Sequence, residues 1–230
     1  MSKRSQHSFL VLVIAVPVLA TFSARGQSLA PAMSGCQLAP PTLTLDATAA
    51  MMQTVKGASF PELASADLRM RTFHSPSEYL QTRFSLPRFF LLRPMRYFVE
   101  INPGLFQQQA PGDGVCAILA HELSHVVSLS RGNRLRRFGL IRLLSKGYTA
   151  KFERATDLEA IRRGYAAGLK SYRVWVYAHV PSNRVAAKRR NYFSPEEVGA
   201  IQTKLAQKPE LLGYWRRHVP MNLGQIESAR

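Results

Sequence analysis

Apolar and polar positions alternate with different periods along the chain, and each period predicts an element. Phe9 to Ala20 is an almost unbroken apolar run placed behind Lys3, Arg4 and His7. At about 12–14 residues it is short for a membrane span and suited to the apolar core of a signal peptide. Ala24 and Gly26 set small residues ahead of a cleavage point, so residues 1–26 are expected to be removed as a signal. An uncleaved anchor is the alternative. Residues 27–42, rich in Pro, Ala and Ser, predict a flexible leader.

Beyond the leader the pattern is mostly helical. Leu43 to Lys56 and Pro61 to Phe73 read as short helices, and Ser75-Pro-Ser-Glu78 carries the capping-box spacing that opens another. Arg96 to Ile101 is rich in β-formers and stops at Asn102-Pro-Gly104, which predicts a strand ended by a turn. Val115 to Val127 sits in a helix expected to start at Asp113 as N-cap and to run to about Ser130. Leu135 to Tyr148 mixes Arg and Lys with Leu, Ile and Phe, as a lid on the core or a helix at a lipid surface would. Lys151 to about Tyr177 predicts one long helix, and Ser194-Pro-Glu-Glu197 opens a last one. The expected fold is a single mainly α (α+β) domain over residues 43–230, with a small β-sheet edge beside the motif helix.

Composition narrows the setting. With 230 residues and 46% hydrophobic content, the chain can bury one core. The net charge is +17, and between Arg131 and Arg154 eight basic residues stand against one acid. Arg184 to Arg190 adds a second basic cluster. Such a field attracts polyanions or simply solubilises the surface. Export makes nucleic acid an unexpected partner. An anionic membrane surface or envelope polymer, bound through the 131–151 segment, is the expectation that remains. Two cysteines, Cys36 and Cys116, suit a disulfide in an oxidising compartment. Met33-Ser-Gly-Cys36 also has the look of a lipid-attachment box, although it lies well past the apolar run. The protein is expected to be periplasmic or secreted, with a tether through the signal or Cys36 as the alternative.

Chemistry concentrates at His121-Glu-Leu-Ser-His125, embedded in the apolar run. On a helix, His121 and His125 project from one face roughly 40° apart, at a spacing that lets both imidazoles bind one Zn2+. Glu122 lies about 100° round the helix, beside the metal without ligating it, where a general base belongs. A catalytic zinc takes three protein ligands and keeps a position for water. A third histidine would require Gly at position 128 and His at 131, which hold Ser128 and Arg131. A downstream glutamate is the other solution. Glu153-Arg-Ala-Thr-Asp157 supplies it, with Asp157 on the same face to accept a hydrogen bond from a liganding histidine. Glu159 points elsewhere, and Cys116 points away from the metal face, so neither is expected to ligate. Tyr148, Tyr165, His179 and His218 are candidate oxyanion helpers, unranked. Tyr172, Trp175 and Tyr177 read as packing.

Ala117-Ile-Leu-Ala-His-Glu-Leu-Ser-His125 and Phe152-Glu-Arg-Ala-Thr-Asp-Leu-Glu-Ala160 resemble the paired motifs of the gluzincin metallopeptidases, with Ile101-Asn-Pro-Gly-Leu105 as a weaker third element. Within that group the chain looks most like the family of prenyl-protein endopeptidases, the bacterial heat-shock membrane protease and the periplasmic chaperone-proteases. The likeness covers residues 95–175. It implies a zincin-like domain, His121, His125 and Glu153 as zinc ligands, Glu122 as base and Asp157 as the orienting residue. It also implies a protein or peptide substrate and the Arg96–Ile101 strand as a pairing edge. The spacer between the motifs is short for the family, and no multi-span membrane region is present. Two functions follow as expectations: an exported zinc metalloendopeptidase, or a non-proteolytic, zinc-stabilised envelope adaptor that binds polyanions.

Overall fold

The computed structural model describes residues 43–75, 78–107, 109–130, 150–180 and 192–208. The expected signal and leader, the basic segment 131–149, the 184–190 cluster, Cys36, Tyr148 and His218 lie outside them.

Helix α1 (Leu45–Ser59) starts where the Thr44 hydroxyl accepts from the Ala47 N–H at 3.1 Å. A single 3-10 turn, Pro61–Leu63, leads into strand β1 (Asp67–Thr72). Strand β2 (Leu80–Phe84), the short helix α2 (Leu86–Phe90) and strand β3 (Arg96–Ile101) follow. The short helix α3 (Gly104–Gln107) and the long helix α4 (Gly112–Ser130) come next. Helix α5 (Ala150–Ala160), a π turn at Ile161–Tyr165, helix α6 (Ala166–His179) and helix α7 (Pro195–Gln207) complete the described chain. It is mainly helical, with one three-stranded sheet.

The sheet runs β1-β3-β2, with β1 parallel and β2 antiparallel to β3. Two expectations fail here. Beyond the 3-10 turn, residues 64–73 form no helix, and the described residues 78–84 form none either. Asp67–Thr72 alternates Leu68 and Met70 with charged residues, and Leu80–Phe84 alternates in the same way, so period two overrides the helical reading. The Ser75 hydroxyl does accept from the Glu78 N–H at 3.1 Å, but the described residues that follow lead into β2 and not into a helix. The Arg96–Ile101 strand is not an edge either. Both of its ladders are filled, leaving β2 as the outer strand on the α4 side.

Helix α4 is the core of the molecule. Every residue from Gly114 to Val127 is buried, as expected of a helix wrapped by neighbours on all sides. Helices α1, α5 and α6 pack on it, together with β2 and β3. The contact with α6 is close because it has no side chain in the way. A Cβ added at Gly168 would stand 2.3 Å from the Asp113 carbonyl oxygen. Tight approach of these backbones sets the distance between the motif helix and everything carried by α6.

The expected single helix from Lys151 to Tyr177 is broken in the middle. Gly164 adopts φ 97°, a left-handed conformation cheap only for glycine, and the chain passes through the π turn before resuming as α6. Arg163 ties this kink to the end of α1 by donating to the Ser59 carbonyl, and Tyr165 Oη lies 2.9 Å from Ser59 Oγ. The kink lets α5 and α6 lie on α4 from different directions, one bringing acids and the other a cation. Helix α7 begins with both halves of its capping box made between Ser194 and Glu197.

Candidate metal centre

His121 and His125 come from the buried middle of α4, and Glu153 comes from the first turn of α5. Each of the three is 1% exposed. His121 Nε2 and His125 Nε2 are 3.1 Å apart, Glu153 Oε2 is 3.2 Å from the first and 3.1 Å from the second. The three atoms form a nearly equilateral triangle. Three zinc ligands at about 2.0–2.2 Å with tetrahedral angles would stand roughly 3.3 Å apart, so the triangle fits such an ion. Among the described residues this is the cluster that could hold a metal, and it has three members.

Hydrogen bonds behind the rings decide which atoms face inward. His121 Nδ1 donates to Asp157 Oδ1 at 2.7 Å. That carboxylate is held from the other side by Arg173 Nη2 at 3.1 Å and by the Phe193 N–H at 3.1 Å. Thr156 spends its one hydroxyl hydrogen on the Phe152 carbonyl at 2.8 Å. Its oxygen is then an acceptor for His125 Nδ1–H at 3.2 Å. When both rings are neutral, each therefore turns a lone pair, not a proton, toward Glu153. Three electron-rich atoms within 3.2 Å of one another repel unless a cation sits among them.

The same demand shows in the acid–base character of the group. Burial works against a charged His121 ring, but the Asp157 carboxylate, supported by Glu153 and Glu122, more than offsets it, and His121 is pushed up to about 10. Burial would raise Glu153, yet the two histidines hold its carboxyl well below the usual range. Asp157 is likewise lowered against its burial, chiefly by Arg173 and then by His121.

Glu122 behaves in the opposite way. Burial pushes its carboxyl up, and the opposing influence of His125, His121 and the Thr82 hydroxyl does not cancel this. Thr82, on β2, lies with its hydroxyl 2.7 Å from Glu122 Oε2 and 3.0 Å from the Glu122 carbonyl oxygen. The outer strand thus pins the glutamate next to the two histidines.

Several other side chains find plain roles. Glu159 pairs with Arg162 and Arg163, away from the triangle. Cys116 is disulfide-bonded, and the chain has one other cysteine. Tyr165 is engaged with Ser59, and His179 with the Trp175 carbonyl and ring, so neither serves the triangle here. Tyr172 and Trp175 pack together and Trp175 also meets Tyr79. Sequence reasoning missed four residues of this site: Thr82, Thr156, Arg173 and Tyr192. Tyr192 lies edge-on to His121, with ring centroids 5.8 Å apart, and under the Arg173 guanidinium at 4.1 Å. Arg173 alone left a trace, as a cation on the apolar side of a helix; the rest are recognisable only once the elements are packed. No protein-family model, curated protein or solved structure matches this chain.

Proposed function

We propose that the chain is an exported zinc-dependent metallopeptidase of gluzincin type, with a zincin-like domain. The observation that carries this reading is the triangle of two imidazole nitrogens and one carboxylate oxygen, with a second buried acid, Glu122, held beside it. Soft-to-borderline nitrogen donors with one carboxylate suit zinc, and three protein ligands are the number that leaves room for water and substrate. Zinc bound there would acidify a water and polarise the peptide carbonyl.

The chain's own residues supply the rest. His121, His125 and Glu153 hold the ion, while Asp157 and Thr156 fix the two ring orientations. Glu122, raised by burial, is a stronger base than an exposed carboxylate, suited to take a proton from water and hand it to the leaving amine. Thr82 keeps that carboxylate in place between the two transfers. Residues 1–26 as a signal and the disulfide at Cys116 agree with an oxidising, extracytoplasmic setting. Among the described residues no helix is long and apolar enough to cross a membrane. The test is Glu122→Gln: it should keep its zinc and lose hydrolysis of unfolded protein substrates. A fully active variant would overturn the mechanism.

One observation favours the second reading, a non-proteolytic envelope adaptor built on a structural zinc. All three ligands are almost completely buried, as in closed structural sites. On that reading Glu122→Gln leaves every phenotype unchanged, whereas neutralising the 131–151 basic segment abolishes binding to anionic polymer.

A further inference from the structure

The short helix α2 and the turn after it carry an arrangement that neither packing nor backbone economy explains. Among the described residues five large hydrophobic side chains are exposed, and four of them fall in one stretch: Leu86 at 47%, Phe90 at 64%, Leu91 at 63% and Leu92 at 70%. Phe89 between them points inward and is buried, so the helix is anchored while its outer side is apolar.

Leu92 is the telling residue. It has φ 57°, and α2 is closed through it by two bonds, Arg93 N–H to the Arg88 carbonyl at 3.0 Å and Leu92 N–H to the Phe89 carbonyl at 3.3 Å. That pair of bonds is the Schellman ending, whose left-handed position belongs to glycine because a side chain there is strained. Here a leucine occupies it and projects into solvent. The hydrophobic contact that usually spans such an ending is also missing, since its two positions hold Arg88 and Arg93. Strain and exposure together mark a side chain placed for something outside the domain.

The surroundings state what that something is. Arg69, Arg88 and Arg96 share the single carboxylate of Asp67, at 3.4, 3.5 and 2.7 Å. Arg93 is exposed beside the tip. An apolar tip flanked by surplus arginine complements a surface with an apolar interior under negative headgroups. A second copy of the chain fits poorly, because two such faces repel each other.

We propose that the Leu86–Leu92 tip docks this protein on anionic lipid bilayers, with Phe90, Leu91 and Leu92 entering the interface and the neighbouring arginines meeting the headgroups. The site differs from the basic 131–151 segment and owes nothing to the metal. Leu86 opens α2 two residues after the end of β2, the strand that carries Thr82, so docking would bring the centre near the bilayer.

The experiment is co-sedimentation of the full chain with vesicles of phosphatidylglycerol and phosphatidylcholine, beside vesicles of phosphatidylcholine alone. Any contribution of the N-terminal apolar run is common to all variants. Phe90→Ser with Leu91→Ser should lower partitioning onto the anionic vesicles by about tenfold or more. Leu92→Gly is the sharper variant: it should melt at or above the wild-type temperature and still bind vesicles several-fold less. Val174→Ser, which removes the remaining large exposed hydrophobic among the described residues, should change nothing. Variants that partition like wild type overturn the proposal. So does an effect confined to self-association without vesicles, which would make the tip an interface between copies.

Discussion

Asp157→Asn is the perturbation that separates the pieces of this site most cleanly. The replacement is nearly isosteric, so packing is kept and only the charge is lost. In the wild type Arg173 and Asp157 are 3% and 0% exposed and bonded at 3.1 Å. Neutralising the acid strands a buried guanidinium, which costs roughly 3–5 kcal/mol in comparable buried pairs. At about 2–4 °C per kcal/mol for a domain of this size, metal-stripped protein should melt roughly 6–20 °C lower. Adding Arg173→Met removes the stranded cation and should recover much of that loss, a coupling that a double-mutant cycle reads directly. Thermal unfolding by circular dichroism on chelator-treated protein is the assay, since it keeps metal affinity out of the number. Metal affinity itself should fall about 10–100-fold in the single variant, because the anionic acceptor that sets the His121 tautomer becomes a weaker, neutral amide. Additive losses in the two single variants, with no recovery in the double, would refute the idea that Asp157 and Arg173 act as one buried pair.

Three further outcomes follow from the geometry. His121 is pushed up to about 10 without a metal, so its protonation stabilises the metal-free fold fully below the ordinary histidine value near 6.5, and that stabilisation is lost as pH rises toward 10. Zinc needs the ring neutral; titration calorimetry in buffers of different ionisation enthalpy should therefore show about one proton released per ion near neutral pH. Affinity should climb with pH and level off near 10; no proton release would contradict this. Gly168→Ala forces a Cβ against the Asp113 carbonyl and should destabilise by about 1–3 kcal/mol in denaturant titration, with α6 displaced from α4. Thr82→Val should retain zinc and lower kcat about tenfold, with Thr82→Ser restoring most of the rate, if the hydroxyl is what holds Glu122.

What the sequence made legible is what depends on spacing within one helix. His121 and His125 share a face of α4 and Glu153 and Asp157 share a face of α5 for the same reason, a helical period a little under four residues. The Ser194 capping box is equally local. The errors lie where local pattern and tertiary context compete. Asp67–Thr72 and Leu80–Phe84 are strands because alternating Leu68, Met70, Leu80 and Thr82 face inward, and helical propensity in their flanks obscured it. The kink at Gly164 interrupts the single helix expected from Lys151 to about Tyr177, because one glycine inside a periodic run does not announce a left-handed turn. Thr82, Thr156 and Arg173 carry no motif; they matter because a strand, a helix turn and a second helix bring a hydroxyl or a cation to a ring or a carboxylate already in place. Spacing identifies the donors, and only packing identifies what orients them.

Elemental analysis of the purified full chain beside its Glu153→Ala variant tests the central claim most directly. Close to one zinc per wild-type chain is expected, falling well below that in the variant while the protein remains folded. Wild-type protein without zinc, or a variant that holds it as firmly, would contradict the assignment of His121, His125 and Glu153 as one metal centre.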